Sequence, residues 1–469
     1  MNETRILGEW LSQLNLNSMP SDVQNSMKLF LLDNIGCIIG GATVPWSSTY
    51  YNVIRNTRSG QHATVAFFGD KMSPDDAAFL NSTFNHANES DDTHLKSPTH
   101  PGGIATPASL ALGEYTACSG HDLLLAMIAA YEVQIRISWA CSPYLIYRGH
   151  HPPVGVGPFG GAAAGAVLMK FNKEMATNAL GVAGSHSAGL IEYTKTGGSV
   201  KRIHSAIAAQ AGVRAALFAQ AGITGPYSIL EGEKGFCKTF AGPDVNIGRL
   251  TEGLGTKYHL LDNGLKPHSC CHLIHAHLDA LDVVRSKADI SPDNVKSMKV
   301  ASNSPQILSH IGSITEPEDI LGAQFSLPFS LAMRLHHGGT GVAGGNGFWD
   351  YLEVDIKDPK LLKTARTVEC VIADTNKWSD VDKGAGLEVE LTDGRVIKEV
   401  VPFSKGLPEN PMTPAEVREK FVSLVEQPLP KGRPQQIIEM VDNITDLKDI
   451  KKLIDLMIVE RSVAMKYAG

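Results

Sequence analysis

Between residues 155 and 222 the chain is unusually dense in alanine and glycine. It reads Gly160-Gly-Ala-Ala-Ala-Gly165-Ala, then Ala208-Ala-Gln-Ala-Gly212 and Ala215-Ala216. Small residues three and four apart put flat faces on helices and let their backbones approach closely. This stretch predicts a packed all-α domain over residues 1–260. The flanking sequence agrees. Residues 5–17 and 22–41 alternate apolar and polar positions at helical spacing. Ser21-Asp22 is a start signal for the second of these, and Gly40-Gly41 a stop. Pro74-Asp75-Asp76 opens a further helix, and 106–118 and 120–140 are helical by pattern.

The texture changes after about residue 290. Segments 295–301, 367–374 and 387–391 are short β-type runs, and Thr392-Asp393-Gly394-Arg395 joins the last to 396–401 as a hairpin. A helix is expected over 321–336. Lys405-Gly406-Leu-Pro408-Glu-Asn-Pro411 reads as a linker, and Thr413-Pro414-Ala-Glu416 starts a return to helices. At 469 residues the chain is too long for one compact core. The expected fold is mainly α. A large helical domain is built from both chain ends, 1–265 and 406–469, and a smaller α+β lid domain is inserted at 266–405.

A net charge of −7 without a basic tract argues against nucleic-acid binding. No apolar run reaches 18 residues, so no membrane span is expected. The first residues do not read as a secretory signal. Seven scattered cysteines read as reduced thiols rather than a disulfide framework, which points to the cytoplasm.

The densest chemistry lies at 86–103, which holds His86, Glu89, Asp91, Asp92, Thr93, His94, Lys96, Thr99 and His100 before Pro101-Gly102-Gly103. Proline and glycine forbid a long helix through it, so it reads as a polar loop carried on helices. Carboxylates can orient a histidine, and a histidine moves protons near neutral pH. The plain alternative is a solvated loop whose Asp and Thr residues cap helices. A metal site from Asp91, Asp92, His94 and His100 is a third reading, but it matches no tight spacing rule. His150-His151-Pro152-Pro153 follows, ahead of the Ala/Gly-rich segment. Gly155-Val-Gly157-Pro-Phe-Gly160 matches a dinucleotide fingerprint literally, yet no strand precedes it, so close helix packing explains it better. Lys195, Lys201, Arg202 and His204 open the next helix against its macrodipole, which a bound carboxylate would justify. Lys266-Pro-His268-Ser-Cys270-Cys271-His272-Leu-Ile-His275-Ala-His277 suggests zinc, but adjacent cysteines poorly fill two tetrahedral corners.

Taken together, these residues resemble the MmgE/PrpD family, which includes 2-methylcitrate dehydratases, cis-aconitate decarboxylases and iminodisuccinate epimerases. The matching features run nearly end to end. They are Leu31-Leu-Asp33-Asn-Ile-Gly36, Asp91-Asp-Thr93-His94 with Thr99-His100-Pro101, His151-Pro ahead of Gly157-Pro-Phe-Gly160, and Ala179-Leu-Gly-Val-Ala-Gly184-Ser. They continue through Lys201-Arg-Ile-His204, Gly222-Ile-Thr-Gly225-Pro226 with Leu230-Glu-Gly232, Lys266-Pro with Cys270-Cys271, and Gln324-Phe-Ser326. The resemblance implies a homodimer, a small polycarboxylate substrate, and neither metal nor organic cofactor. It implies His100, His151, Lys201 and Lys266 as catalytic residues, with Glu89, Asp91, Thr93, His204 and Phe329 toward the substrate. Two positions depart from the decarboxylases of the family: Glu89 stands where they have aspartate, and Phe329 where they have tyrosine.

The chemistry shared across the family is a carbanion next to a carboxylate. It needs cations around the carboxylates and a proton carrier near the α-carbon. Lys201, Lys266 and His151 are the expected cations and His100 the proton carrier. The sequence favours a cofactor-free lyase dehydrating a citrate-like tricarboxylate. Alternatives are cis-aconitate decarboxylation, epimerisation of a small dicarboxylate such as iminodisuccinate, and, outside the family, metal-dependent hydrolysis.

Overall fold

The computed structural model describes residues 2–193, 198–302, 305–373 and 384–468. The chain forms two compact units. One comprises Met1–Ala87, Asp91–Gly264 and Phe421–Gly469; the other comprises Asn88–Ser90 and Leu265–Lys420.

The first unit is helical, and its centre is a pair of helices, Pro152–Leu168 and His204–Gln220. Their small residues do what the sequence predicts. A methyl group added at Gly157 would come within 2.7 Å of the Ala208 Cβ. One at Gly161 would reach 2.9 Å from the Gly212 Cα, and one at Gly165 2.3 Å from the Ala216 Cβ. Each partner lies 51 residues further along, so the two helices run in the same direction and start side by side. The GxGxxG match is thus a packing face inside a helix.

Gly120–Cys141 is a single helix long and apolar enough to cross a membrane by length and composition, but 94% of its apolar window is buried inside the protein. It is a core helix. Its buried Glu132 and Arg136 pair at 3.0 Å. Glu132 accepts from the Leu260 amide at 2.7 Å, while Arg136 donates to the carbonyls of Glu252 and Lys257 at 2.8 and 2.7 Å. One internal ion pair thereby fixes an irregular segment onto the helix. The C-terminal return packs on the helix Ser21–Gly41, where the Gly36 backbone leaves room for Phe421 and Leu424.

The second unit is built around a four-stranded sheet of β3 (Val295–Ser302), β4 (Val368–Ile372), β5 (Ala385–Leu391) and β6 (Val396–Val401), in the order β4-β3-β5-β6. The numbers β1 and β2 belong to a two-residue pair in the first unit, Ala63–Thr64 and Lys71–Met72. β3 runs parallel to β4 and antiparallel to β5, and β5 and β6 form the expected hairpin, with Gly394 at φ 91° in its turn. Asp374, at the end of the second expected run, lies outside the described residues.

The helix expected over 321–336 is two helices, Ile320–Gln324 and Leu327–His337. Pro328 sits in the first turn of the second, and the Ser326 hydroxyl accepts from the Phe329 amide at 3.0 Å as its cap. A cap and a proline both mark a helix start, and here they outweigh the continuous apolar pattern. The 413–416 start signal forms a reciprocal box. Thr413 N–H donates to Glu416 at 2.7 Å, and Glu416 N–H donates to the Thr413 hydroxyl at 3.3 Å.

Candidate active site

The polar stretch begins at His86, the residue that ends the helix Pro74–Asn85, and closes at Pro101, where the helix Gly102–Tyr115 starts. That helix begins four residues before the apolar pattern at 106, because Asp92 supplies its missing partner. The Gly102 amide donates to the Asp92 carboxylate at 2.9 Å. A side chain at residue 102 would collide with Asn34 and Asp92, within 2.4 and 2.6 Å, which explains the glycine. Asp92 also accepts from the Tyr131 hydroxyl at 2.6 Å and the Asn263 amide at 2.7 Å. Full burial pushes its carboxyl up to about 7, helped by Asp91 and Asp33 and opposed by the Tyr131 and Asn263 hydrogen bonds. Asp92 is thus the bolt that fixes the loop. Nothing local in the sequence pairs it with Tyr131 or Asn263.

Asp91 faces histidines. His86 Nδ1 lies 2.8 Å from its carboxylate, and His100 Nδ1 lies 3.5 Å from the same oxygen. His100 Nδ1 also sits 2.8 Å from the Asp92 carbonyl oxygen. A carbonyl only accepts, so Nδ1 of His100 carries a hydrogen and Nε2 is the atom left to take up or deliver a proton. The His86 and His100 rings are 5.2 Å apart. The His100 side chain keeps 18% of its surface exposed, whereas His86 and Asp91 have none. Asp91 therefore orients two histidines within this unit. Thr93 is buried, and its backbone pairs in both directions with Gly264, at 2.9 and 2.7 Å. His94 leaves the group: its Nδ1 meets the Ser97 hydroxyl at 2.7 Å, and its charged surroundings are Asp262, His259 and Lys96.

A second group stands at the two parallel helix starts. His151 caps Pro152–Leu168 in extended backbone, as the following prolines require. His204 is the first residue of its helix. Their Nδ1 atoms are 2.9 Å apart, and the Tyr193 ring packs edge-on against both. Lys201 lies just before, in the 3₁₀ turn Ser199–Ile203, and is buried; Arg202 stacks on Trp46 with its guanidinium carbon 3.5 Å from the ring centre. Lys195 lies outside the described residues. Burial holds His151 well below the ordinary histidine range, and Lys201, His204, His86 and His100 push the same way. His204 is held at about 4 by burial, His86 and Lys201. His151, expected as a cation, is therefore a neutral imidazole, chiefly because it is buried and further because Lys201 stands beside it. His86 and His100 act on His151 and Lys201 acts on both rings of the pair, so the loop group and the helix-start group share one electrostatic neighbourhood.

Lys266 and Glu89 meet within the second unit. The Lys266 ammonium donates to the Glu89 carbonyl at 3.1 Å and stands 3.5 Å from its carboxylate, with 1% and 7% of the side chains exposed. Glu89 takes a left-handed backbone, φ 54°, unusual for a residue with a side chain. The helix that follows Lys266 starts at His272, and the Ser269 and Ser90 hydroxyls hydrogen-bond each other. His268, His275 and His277 are buried, and burial lowers all three below the usual histidine range. Among the described residues no three His, Cys, Asp or Glu side chains are arranged to hold a metal ion. Phe329 is fully buried and packs in the apolar core of this unit.

Two family models match the chain: the MmgE/PrpD N-terminal domain over residues 5–247 and the MmgE/PrpD C-terminal domain over residues 268–446. A cis-aconitate decarboxylase of Aspergillus terreus is 30% identical, over 96% of this chain and 94% of its own length. A cis-aconitate decarboxylase-like protein, oryM, of Aspergillus oryzae is 27% identical over 97% of each chain. The cis-aconitate decarboxylase of Homo sapiens is 25% identical, over 95% of this chain and 92% of its own.

Proposed function

The chain belongs to the MmgE/PrpD family, and we propose that within it the protein is a lyase that decarboxylates a small unsaturated tricarboxylate of the cis-aconitate type. One observation carries the chemistry: the Asp92 carbonyl fixes the hydrogen of His100 on Nδ1, 2.8 Å away, and leaves Nε2 to handle the proton. Lys201 is the buried cation of the same group, and His151 a neutral donor beside it. In the proposed step a C–C bond breaks, carbon dioxide leaves, and the electron pair stays on carbon, spread into a neighbouring carboxylate. Lys201 offsets that charge, and His100 Nε2, carrying a second proton, delivers it to form the new C–H bond. Asp91, 3.5 Å from the ring, faces the charge that His100 holds beforehand.

The sequence by itself favours dehydration, whereas the relatives that span nearly the whole chain are named as decarboxylases. Glu89 and Phe329 keep dehydration of a citrate-like acid as the second reading, since they replace the aspartate and tyrosine of the decarboxylases the chain resembles. A carbanion of the same kind, stabilised by a carboxylate, serves both, because dehydration forms one by removing a proton and then expels hydroxide. We further propose a metal-independent homodimer.

Proton NMR in D₂O with cis-aconitate, citrate, 2-methylcitrate and iminodisuccinate separates the readings. Decarboxylation gives a five-carbon unsaturated dicarboxylate with one deuterium from solvent. Turnover of citrate or 2-methylcitrate with cis-aconitate untouched overturns the assignment. Activity that survives dialysis against a chelator is the expected result for metal; its loss and return with added zinc or iron refutes that part.

A further inference from the structure

Two nitrogens 2.9 Å apart make a hydrogen bond when one carries a hydrogen and the other a lone pair, so the Nδ1 atoms of His151 and His204 share a single proton. The pair has two arrangements. If His151 holds the Nδ1 hydrogen, its Nε2 is a lone pair. If His204 holds it, His151 carries its own hydrogen on Nε2. The geometry is imposed from outside the pair. The close packing of Gly157, Gly161 and Gly165 on Ala208, Gly212 and Ala216 sets the two helix starts level. The His151 amide donates to the Gly189 carbonyl at 3.2 Å, and Tyr193 packs edge-on against both rings. Lys201 and the positive ends of two parallel helices surround the pair, which disfavours a second proton and keeps both rings neutral.

A polycarboxylate offers acceptors and no donors. A lone pair on His151 Nε2 would face it repulsively, while an Nε2–H would bind it. A site organised for anions has its donors in place before the ligand arrives. We propose that His204 is a positioning residue that sets the tautomer of His151: it donates its Nδ1–H to His151 Nδ1, so that His151 presents an Nε2–H to the substrate carboxylate. This rests on the polycarboxylate reading above and gives His204 a role one step removed from the substrate.

The tautomer is measurable without turnover. In full-length protein carrying ¹⁵N in its histidine rings, His151 is assigned by difference against His151→Gln. The expected spectrum has His151 Nε2 protonated and Nδ1 unprotonated, both in the free protein and with saturating propane-1,2,3-tricarboxylate. A protonated Nδ1 on His151 in the free protein overturns the proposal, whatever the reaction proves to be. Kinetics give a second arm on whichever acid the NMR panel identifies. His204→Phe keeps the ring's bulk but donates nothing, and should lower kcat/KM about tenfold, the upper range of a neutral hydrogen bond. His204→Asn retains an N–H donor and should stay within about threefold of wild type. Equal loss in the two variants, or none in His204→Phe, also overturns the proposal. Inactivity on the whole panel with the expected tautomer intact sinks the proposed reaction and leaves this inference standing.

Discussion

Gly161 lies against Gly212 so closely that a single added methyl group would come within 2.9 Å of backbone, where no side chain can swing aside. The neighbouring contacts, Gly157 on Ala208 and Gly165 on Ala216, repeat it one helical turn away on either side. Together they hold the helix starts that carry His151 and His204. Gly161→Ala gains helix propensity but forces two helices apart, and overpacking of this kind costs about 1–3 kcal/mol. A lower melting temperature and a lower kcat/KM are expected together. A variant as stable as wild type would show that the helices separate freely.

This helix pair is legible in the amino-acid sequence, because small residues at four-residue spacing leave few ways to pack. The strands and the hairpin are legible for a similar reason: β-branched runs and an Asp-Gly turn are local signals. The break at 325–326 is hidden because the Ser326 cap and Pro328 interrupt a pattern that stays apolar on both sides. At the site, local sequence brings out His100, His151 and Lys201, since they sit in short polar clusters between helices. It does not reveal that Asp91 serves His86 and His100, or that Tyr131 and Asn263 fix Asp92, because such pairings depend on tertiary contacts between segments. Nor does it show that His151 is neutral, since that follows from burial beside Lys201.

Lys266 and Glu89 form a pair with almost no exposure, so removing the ammonium takes a close countercharge from a buried carboxylate. Lys266→Met should destabilise the protein by about 3–5 kcal/mol, the usual cost of breaking a buried ion pair. Glu89→Gln together with Lys266→Met should recover much of that stability. Denaturant unfolding of Lys266→Met, Glu89→Gln and the double variant checks this. A single variant as stable as wild type would mean that the pair contributes nothing to folding.

Acid should weaken the fold. Burial holds His94, His204 and His277 at about 4 and keeps His151, His268 and His275 below the usual histidine range, against about 6.5 in an unfolded chain. As pH falls below 6.5 the unfolded chain takes up protons that these folded residues refuse, which favours unfolding until their folded values are passed. Asp92 works the other way. With its carboxyl near 7 instead of 3.8, the folded state holds an extra proton between those values and gains stability on acidification. Glu132, also buried and raised, acts in the same sense as Asp92, but six histidines outweigh the two, so the melting temperature should drop between pH 7.5 and pH 5.0 at constant ionic strength. His277→Leu should shrink that drop. A melting temperature that holds or rises would show that these rings are hydrated enough to protonate in place.

His100 allows the sharpest test of the chemistry. Its Nδ1 is tied to the Asp92 carbonyl, its ring faces Asp91, and it is the partly exposed member of the loop group, so solvent can replace a proton it gives up. A purely structural His100 would be felt in stability, because its replacement would loosen the loop but leave turnover largely intact. A proton carrier behaves in the opposite way. His100→Gln keeps the polarity and much of the volume, and Gly102, Tyr131 and Asn263 still hold the loop through Asp92, so the melting temperature should change little. The kcat should fall by roughly 10²–10⁴, the range for losing a general acid or base. KM should change far less, since Lys201 is untouched. Deuterium incorporation from D₂O into the product should fall in step with turnover if the reaction is decarboxylation, and exchange of the substrate's α-hydrogen should do so if it is dehydration, because each routes its proton transfer through His100. If His100→Gln turns over at the wild-type rate on the acid the NMR panel identifies, His100 does not carry the proton, and the assignment passes to His151.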